Sequence, residues 1–302
     1  MLKIEDSFFQ DEVREGFLVE EKMKRAWAVE MDVLSEIIRV CKKYNLTYYA
    51  DWGTLLGTVR HHGFIPWDDD MDIALKRADY NKLLAVLPKE LPEGFVVSSF
   101  YTDPTHCQPI SAVMNTKTII TDPEIRKRFY GCPYIVGVDI VALDYLPREE
   151  ELMQLQLSMY SMVYSAAREF DAYKASGEIE GYLAQIEELC NVKIRRDGTE
   201  QNQLWRLSDS IAAMFTEEES DDLAWMPRLI CSDPNFRLKK EWYQDVISMP
   251  FEQMKLHVPV GYDSILTTMY GDYRTPINRS GGHDYPFYKK QDLFLEKIGV
   301  TI

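Results

Sequence analysis

"HHGFIPWDDDMDIAL", residues 61–75, sets four carboxylates into the five positions from 68 to 72 and then runs straight into apolar residues. "MDIALK" (71–76) reads as a short strand and "RADYNKLLAVLP" (77–88) as a helix closed by Pro88. Unpaired charge at the mouth of a buried element is expensive, so Asp68, Asp69, Asp70 and Asp72 need a partner. Side chains alternate along a strand, which predicts Asp68, Asp70 and Asp72 on one side, neighbours about 7 Å apart, with Asp69 and Met71 turned away. Two carboxylates at that spacing converge on one cation. Magnesium takes oxygen ligands at about 2.1 Å, usually one or two protein carboxylates completed by water and substrate phosphate. A D-x-D pair therefore suits a nucleotide-phosphate site, and the cation supplies the positive charge that the strand entrance lacks.

Three other readings compete. A calcium loop needs Gly at its sixth position and a bidentate Glu at its twelfth, where this chain has Ile73 and Asp79. A zinc hydrolase built on His61 and His62 fails on spacing, because adjacent residues diverge and no H-x-H or H-E-x-x-H occurs. An exposed acidic turn is the plainest account of a bare D-x-D, and the context just upstream weighs against it. In "DWGTLLGTVRHHG" (51–63), Gly53 and Thr54 open a short helix and can offer backbone N–H groups and a hydroxyl to phosphate. Arg60, His61 and His62 then make a phosphate-facing cluster.

Phosphoryl transfer with two metals or a base calls for a third acid. "VGVDIVALDYLP" (136–147) offers Asp139 in an apolar strand and Asp144 at its end, where a turn or cap would put it. Asp139, flanked by Val138 and Ile140, is the costlier residue to bury and is preferred.

Leu18, Met23, Trp27, Leu34, Ile37, Ile38, Cys41 and Tyr44 recur at helical spacing and predict an amphipathic helix over 18–44. "LTYYADW" (46–52), "FVVSSF" (95–100), "PISAVMN" (109–115), "TIIT" (118–121) and "YIVGVDIVAL" (134–143) read as strands. Beyond Pro147 the pattern turns helical: Leu152, Leu155, Met159, Val163, Ala166, Phe170 and Tyr173 form one stripe, Leu183, Ile186 and Leu189 a second, and Leu204, Ile211, Met214 and Phe215 a third. The acids of "TEEESDD" (216–222) read as a solvated face with helix N-terminal charge. "DVISMPFEQMKLHVPV" (245–260) suggests two strands around a polar turn, and "GYDSILTTMYGDY" (261–273) a helix ending at Gly271. The expected organisation is an N-terminal helix and α/β core over 1–147, a helical region over 148–235, and a segment over 236–302 that packs back on the core.

A net charge of −15 argues against a protein that grips nucleic acid, which needs clustered Lys and Arg. Five scattered cysteines without a C-x-x-C pair fit a reducing cytoplasm. "MLKIEDSFFQDEVREGF" (1–17) has acids where a signal peptide needs a basic start, and no run of about 18 apolar residues suggests a membrane span.

The run from Asp51 to Leu75, the strand "VDIVALD" (138–144) and the tail "VPVGYDSILTTMYGDYRTP" (258–276) with His283 beyond it resemble LicD-type transferases, the group that includes fukutin-related protein. The resemblance spans about residues 25–285. It implies a nucleotidyltransferase fold of the mixed α/β (α+β) class, with a helical region inserted before a C-terminal completing segment. By position, Gly53 and Thr54 match the family's glycine turn, Asp70 and Asp72 its paired metal ligands, and Asp139 its third carboxylate. The implied reaction is Mg²⁺- or Mn²⁺-dependent transfer of a phospho-alcohol, most often phosphocholine, from its CDP-linked donor to a hydroxyl of a glycan or lipid-linked glycan, as in teichoic acid or lipopolysaccharide. Tyr270, Tyr273, Arg274 and His283 would close over the donor, and Trp67 with neighbouring aromatics would receive choline. An ordinary nucleotidyltransferase that moves NMP from an NTP, and a non-catalytic scaffold of the same fold, are the alternatives.

Overall fold

A computed structural model describes residues 2–277 and 285–300. The chain begins with a small antiparallel hairpin, β1 (Glu12–Arg14) and β2 (Phe17–Val19), turned by Glu15 and Gly16 at φ 50° and 77°. Two consecutive left-handed residues are what a two-residue hairpin turn requires. Helix α1 (Glu21–Tyr44) follows and stops at Asn45, which adopts the left-handed conformation and returns its N–H to the carbonyls of Cys41 and Lys42. Leu18 therefore lies on β2, 52% exposed, outside the helix that the sequence periodicity assigned it to.

Next come β3 (Tyr49–Ala50), α2 (Trp52–Arg60), β4 (Asp72–Lys76), α3 (Arg77–Glu90), β5 (Val96–Ser98), β6 (Ser111–Met114), α4 (Pro123–Arg128) and β7 (Gly137–Pro147). Pro88 does not close α3, which continues through it to Glu90. It falls in the last turn, where only the final residues remain to be disturbed. "TIIT" is no strand. The Thr116 and Thr118 segment turns on itself through a bond from the Thr118 N–H to the Thr116 hydroxyl (3.4 Å), and side chains that bond their own backbone compete with a ladder.

The later elements are α5 (Glu150–Arg168), α6 (Phe170–Ser176), α7 (Ile179–Cys190), α8 (Glu200–Ala212), β8 (Ser220–Ala224), α9 (Met226–Cys231), β9 (Leu238–Lys239), β10 (Val246–Phe251), β11 (Met254–Pro259), α10 (Tyr262–Tyr270) and α11 (Lys289–Lys297). The acids of 216–222 do not head a helix. Thr216 and Glu219 form a reciprocal cap on a single 3₁₀ turn, and Ser220 onward is strand.

Two units interleave along the chain. Residues up to Val97, Ala112–Ile140 and Gln244 onward form the first; Ser98–Ser111 and Val141–Tyr243 form the second. The fold is mixed α/β, with a seven-stranded sheet whose path runs β3-β4-β7-β6-β5 and from β7 to β8 and β9. In the first unit β3 lies antiparallel to β4, pairing Tyr49 with Ala74 and Ala50 with Ile73, and the Asp139 N–H bonds the Met71 carbonyl at 2.9 Å. This last bond carries the head of β7 alongside the chain entering β4. The hairpin of β10 and β11 packs against α2 and β3.

In the second unit the distal half of β7 pairs antiparallel with β8, Asp144 opposite Ala224, and α5 packs on α7 and α8. Asp144 is thus mid-strand and 1% exposed, neither turn nor cap. The buried stripe of α5 is Met153, Gln156, Tyr160, Val163 and Ala167; Leu152 and Leu155 are 39% and 50% exposed. Apolar residues on both sides of the helix made the sequence stripe ambiguous, and a polar residue holds the buried one. Gln156 donates to the carbonyls of Ile211 and Ala212 at 3.0 and 3.2 Å, satisfying the end of α8. Among the described residues no helix is long and apolar enough to cross a membrane.

Candidate active site

The site is assembled where α2, the loop 61–71, β4 and the start of β7 meet in the first unit. Asp51 caps α2 by accepting the Trp52 N–H at 2.9 Å, and its own N–H bonds the Asp72 carbonyl at 3.1 Å. Trp52 begins the helix at φ 40°, a left-handed conformation that a non-glycine residue keeps only when its surroundings hold it. Gly53 faces Asp68 so closely that a Cβ there would collide with the carboxylate. Thr54 is 3% exposed, and its hydroxyl accepts the Asp72 N–H at 2.8 Å. The glycine turn thus sets the height of the acidic chain segment, with Gly53 admitting one aspartate and Thr54 fixing the backbone of another.

The loop between α2 and β4 is pinned from two directions. The Trp27 indole N–H donates to the Asp68 carbonyl at 3.2 Å, and its ring stacks on Phe64 with centroids 4.4 Å apart. From the β10–β11 turn, the Glu252 N–H donates to the His62 carbonyl at 2.8 Å while the Glu252 carboxylate accepts the Phe64 N–H at 3.1 Å and a forked pair from Arg14. His62 sits at φ 54° within this clasp, its side chain exposed.

Strand alternation does not govern the aspartates. Only Asp72 belongs to β4; Asp68, Asp69 and Asp70 precede it, and the Asp68 N–H closes a turn onto Ile65 at 2.9 Å. Freed from the pleat, Asp69 does not turn away: Asp68, Asp69 and Asp70 each offer an oxygen within 4.8 Å of the others. Asp69 is 2% exposed and accepts the Phe287 N–H at 2.5 Å, which ties the C-terminal segment to the loop. Asp70 is exposed.

Burial holds the Asp72 carboxyl well above the usual carboxylate range, and Asp70, Asp139, Asp51 and Asp68 push it the same way. Burial and then Asp70 raise Asp139 to about 7. Asp70, Asp72 and Asp139 are therefore brought within electrostatic reach of one another, with Asp51 beside them.

A further acid belongs to this crowd that the motifs did not reveal. Glu30, on α1 one turn beyond Trp27, is 1% exposed, and its Oε2 has no hydrogen-bond partner among the described residues. Burial raises its carboxyl strongly, followed by Asp70, Asp69, Asp68 and Asp72. The signal was present in the sequence: the apolar stripe of α1 passes from Trp27 to Leu34, and the turn between carries a glutamate.

The remaining expected residues lie around this centre. Arg60 donates to the Tyr273 carbonyl at 2.8 Å, joining α2 to the chain after α10. Tyr273 is 4% exposed and its phenol donates to Asp263 at 2.6 Å, so it packs as part of the wall; Arg274 pairs with Asp263, and Tyr270 is 44% exposed. His61 faces Glu15 at 3.3 Å, and burial and then Arg60 lower its pKa. Trp67 meets the Phe17 ring edge-on at 6.2 Å and His61 at 6.5 Å, while Phe17 meets Tyr285 at 5.7 Å. His283 lies outside the described residues.

The donor set consists of carboxylate oxygens and suits a hard divalent cation. The orphaned oxygen of Glu30 and the raised carboxyls of Asp72 and Asp139 mark a place that lacks positive charge. Residues 45–113 match the family described as LicD/FKTN/FKRP, nucleotidyltransferase domain, so the resemblance drawn from the motifs of that stretch holds. Over 261 residues, 80% of this chain and 88% of the relative, the protein is 25% identical to the lipopolysaccharide cholinephosphotransferase LicD of Haemophilus influenzae. Shorter matches join it to uncharacterised proteins of Rickettsia prowazekii (46% over 56 residues, 18% of this chain and 21% of the relative) and Rickettsia typhi (43% over 53 residues, 18% and 17%).

Proposed function

We propose that the protein transfers phosphocholine from CDP-choline to a hydroxyl of a glycan or lipid-linked glycan and releases CMP. The observation that carries this reading is the crowding of Asp72 and Asp139 against the charge of Asp70, itself grouped with Asp68 and Asp69, beside the turn of Gly53 and Thr54, in a chain similar along most of its length to a cholinephosphotransferase. A magnesium or manganese ion held by Asp70, Asp72 and Asp139 would offset the charge of the donor pyrophosphate. Asp139 orients the acceptor hydroxyl and takes its proton; the acceptor oxygen bonds to the choline-bearing phosphorus as the bond from that phosphorus to the CMP oxygen breaks. Arg60 and His61 or His62 steady phosphate oxygens. The Thr54 hydroxyl acts through Asp72, whose backbone it fixes.

Choline ends in a quaternary ammonium with no N–H to donate, so aromatic faces and nearby carboxylates recognise it. Trp67 and Tyr285 each meet the Phe17 ring edge-on, all three half-buried, and Asp69, Glu20 and Asp68 act electrostatically on the Tyr285 phenol. This supports choline over a polyol. Five free thiols support a reducing, cytoplasmic setting.

The test is to incubate the protein and magnesium with CDP-choline, CDP-ribitol and CDP-glycerol, each with a glycan acceptor, and with NTPs in parallel. CMP release with CDP-choline favoured is the expected result. Pyrophosphate release from an NTP would replace this reading with nucleotidyl transfer, and neither product would leave a binding scaffold.

A further inference from the structure

We infer that Glu30, on a helix outside the motif segment, belongs to the cation site as a positioning carboxylate that accepts hydrogen bonds from the water shell of the cation held by the aspartates. The inference rests on the carboxylate cation-site reading and extends it to α1. Three observations carry it. Glu30 is 1% exposed in the middle of a 24-residue helix, where an unpaired polar group is costly unless something satisfies it. Its Oε2 has no protein partner among the described residues, so what satisfies it is not part of the chain described. The same helix face carries Trp27, whose indole holds the Asp68 carbonyl, so α1 is already the wall against which the acidic loop is set.

A buried glutamate kept only for packing would be better replaced by Gln or Met, which fill the same volume without the charge. A glutamate behind four aspartates increases like-charge repulsion in the empty site and relieves it once a divalent cation is bound. Such a residue raises cation affinity at the expense of the metal-free fold. That combination separates it from a residue with a merely structural role.

The experiment titrates Mn²⁺ into the full chain by calorimetry with no donor present, for the wild type, Glu30→Gln and Glu30→Asp, and records thermal midpoints without metal. Glu30→Gln should weaken Mn²⁺ at least tenfold while its metal-free midpoint stays level or rises; Glu30→Asp, drawn back by one methylene, should fall between. Mn²⁺ affinity within twofold of wild type in both variants would overturn the inference, as would a wild-type chain that binds no Mn²⁺. Because no donor is used, a chain that holds Mn²⁺ through Glu30 and yet releases no CMP would sink the transferase reading alone.

Discussion

Two groups of acids, one in each unit, are handled in opposite ways. In the first, Glu30, Asp72 and Asp139 are buried among other carboxylates and pushed up. In the second, Arg196 and the Ile194 N–H bring Glu187 down to about 2, Thr199 and Arg195 bring Asp197 down to about 2, and Arg148 lowers Asp221. The same residue types are paired with cations of the chain in one group and crowded against one another in the other, while elsewhere in the first unit acids such as Glu252 are paired with Arg14. Acids that steady a fold recruit arginine; the crowded acids are the ones proposed to receive a charge from outside.

The sharpest way to break this contrast is to withhold that charge. Transfer should fall to background in EDTA and return with magnesium or manganese, and full turnover in chelator would place the crowd outside the chemistry. Asp70→Asn or Asp72→Asn should next lower the transfer rate at least a hundredfold, because a cation that offsets developing charge contributes several kcal/mol. The melting temperature of Asp72→Asn should not fall, since the backbone bonds that position residue 72 remain and a repelled carboxyl is gone. Asp69→Asn should cost less activity, its carboxylate being engaged by Phe287. Equal losses at 69 and 70 would shift the site to the Asp68–Asp70 cluster.

Much of this centre could be read from the sequence because its motif is local. Residues 51–76 contain the cap, the glycine turn, the acids and the strand, and β7, the β10–β11 hairpin and α10 followed from composition and turn residues. What escaped depends on partners distant in sequence. β8 reads as an acidic tract until β7 lies beside it. The buried face of α5 is decided by Gln156 meeting the end of α8. The alternation of Asp68, Asp70 and Asp72 failed because a turn onto Ile65 and the indole of Trp27 hold that segment out of the pleat. The β1–β2 hairpin, the source of Phe17, is marked in the sequence only by its Glu15-Gly16 turn, since strands of three residues are too short to show a period.

Phe17 bears on the next effect. Trp67→Leu should raise KM for CDP-choline several-fold while leaving that for a polyol donor nearly unchanged, a cation–π contact being worth roughly 0.5–2 kcal/mol. Tyr273→Leu should instead lower the melting temperature, because its buried phenol bonds Asp263. Comparable kcat/KM for choline and polyol donors in the wild type would remove the aromatic box and leave the general transferase.

The smallest effect tests the other side of the contrast. Glu187 accepts from Arg196 and the Ile194 N–H, with Lys193 at 3.5 Å. Its carboxyl is held at about 2 against an ordinary value of 4.5, so the folded state keeps it ionised where the unfolded chain would take up a proton. The stability this gives is complete above about pH 4.5 and disappears as pH falls toward 2. Glu187→Gln should therefore melt slightly below wild type at pH 6, and the gap should close as the pH is lowered to 2, by a modest amount because exposed ion pairs are screened. A gap that stays constant from pH 6 to 2 would mean that Glu187 acts by shape. The second unit's acids would then no longer stand as the charge-paired counterpart to the crowd around Asp72.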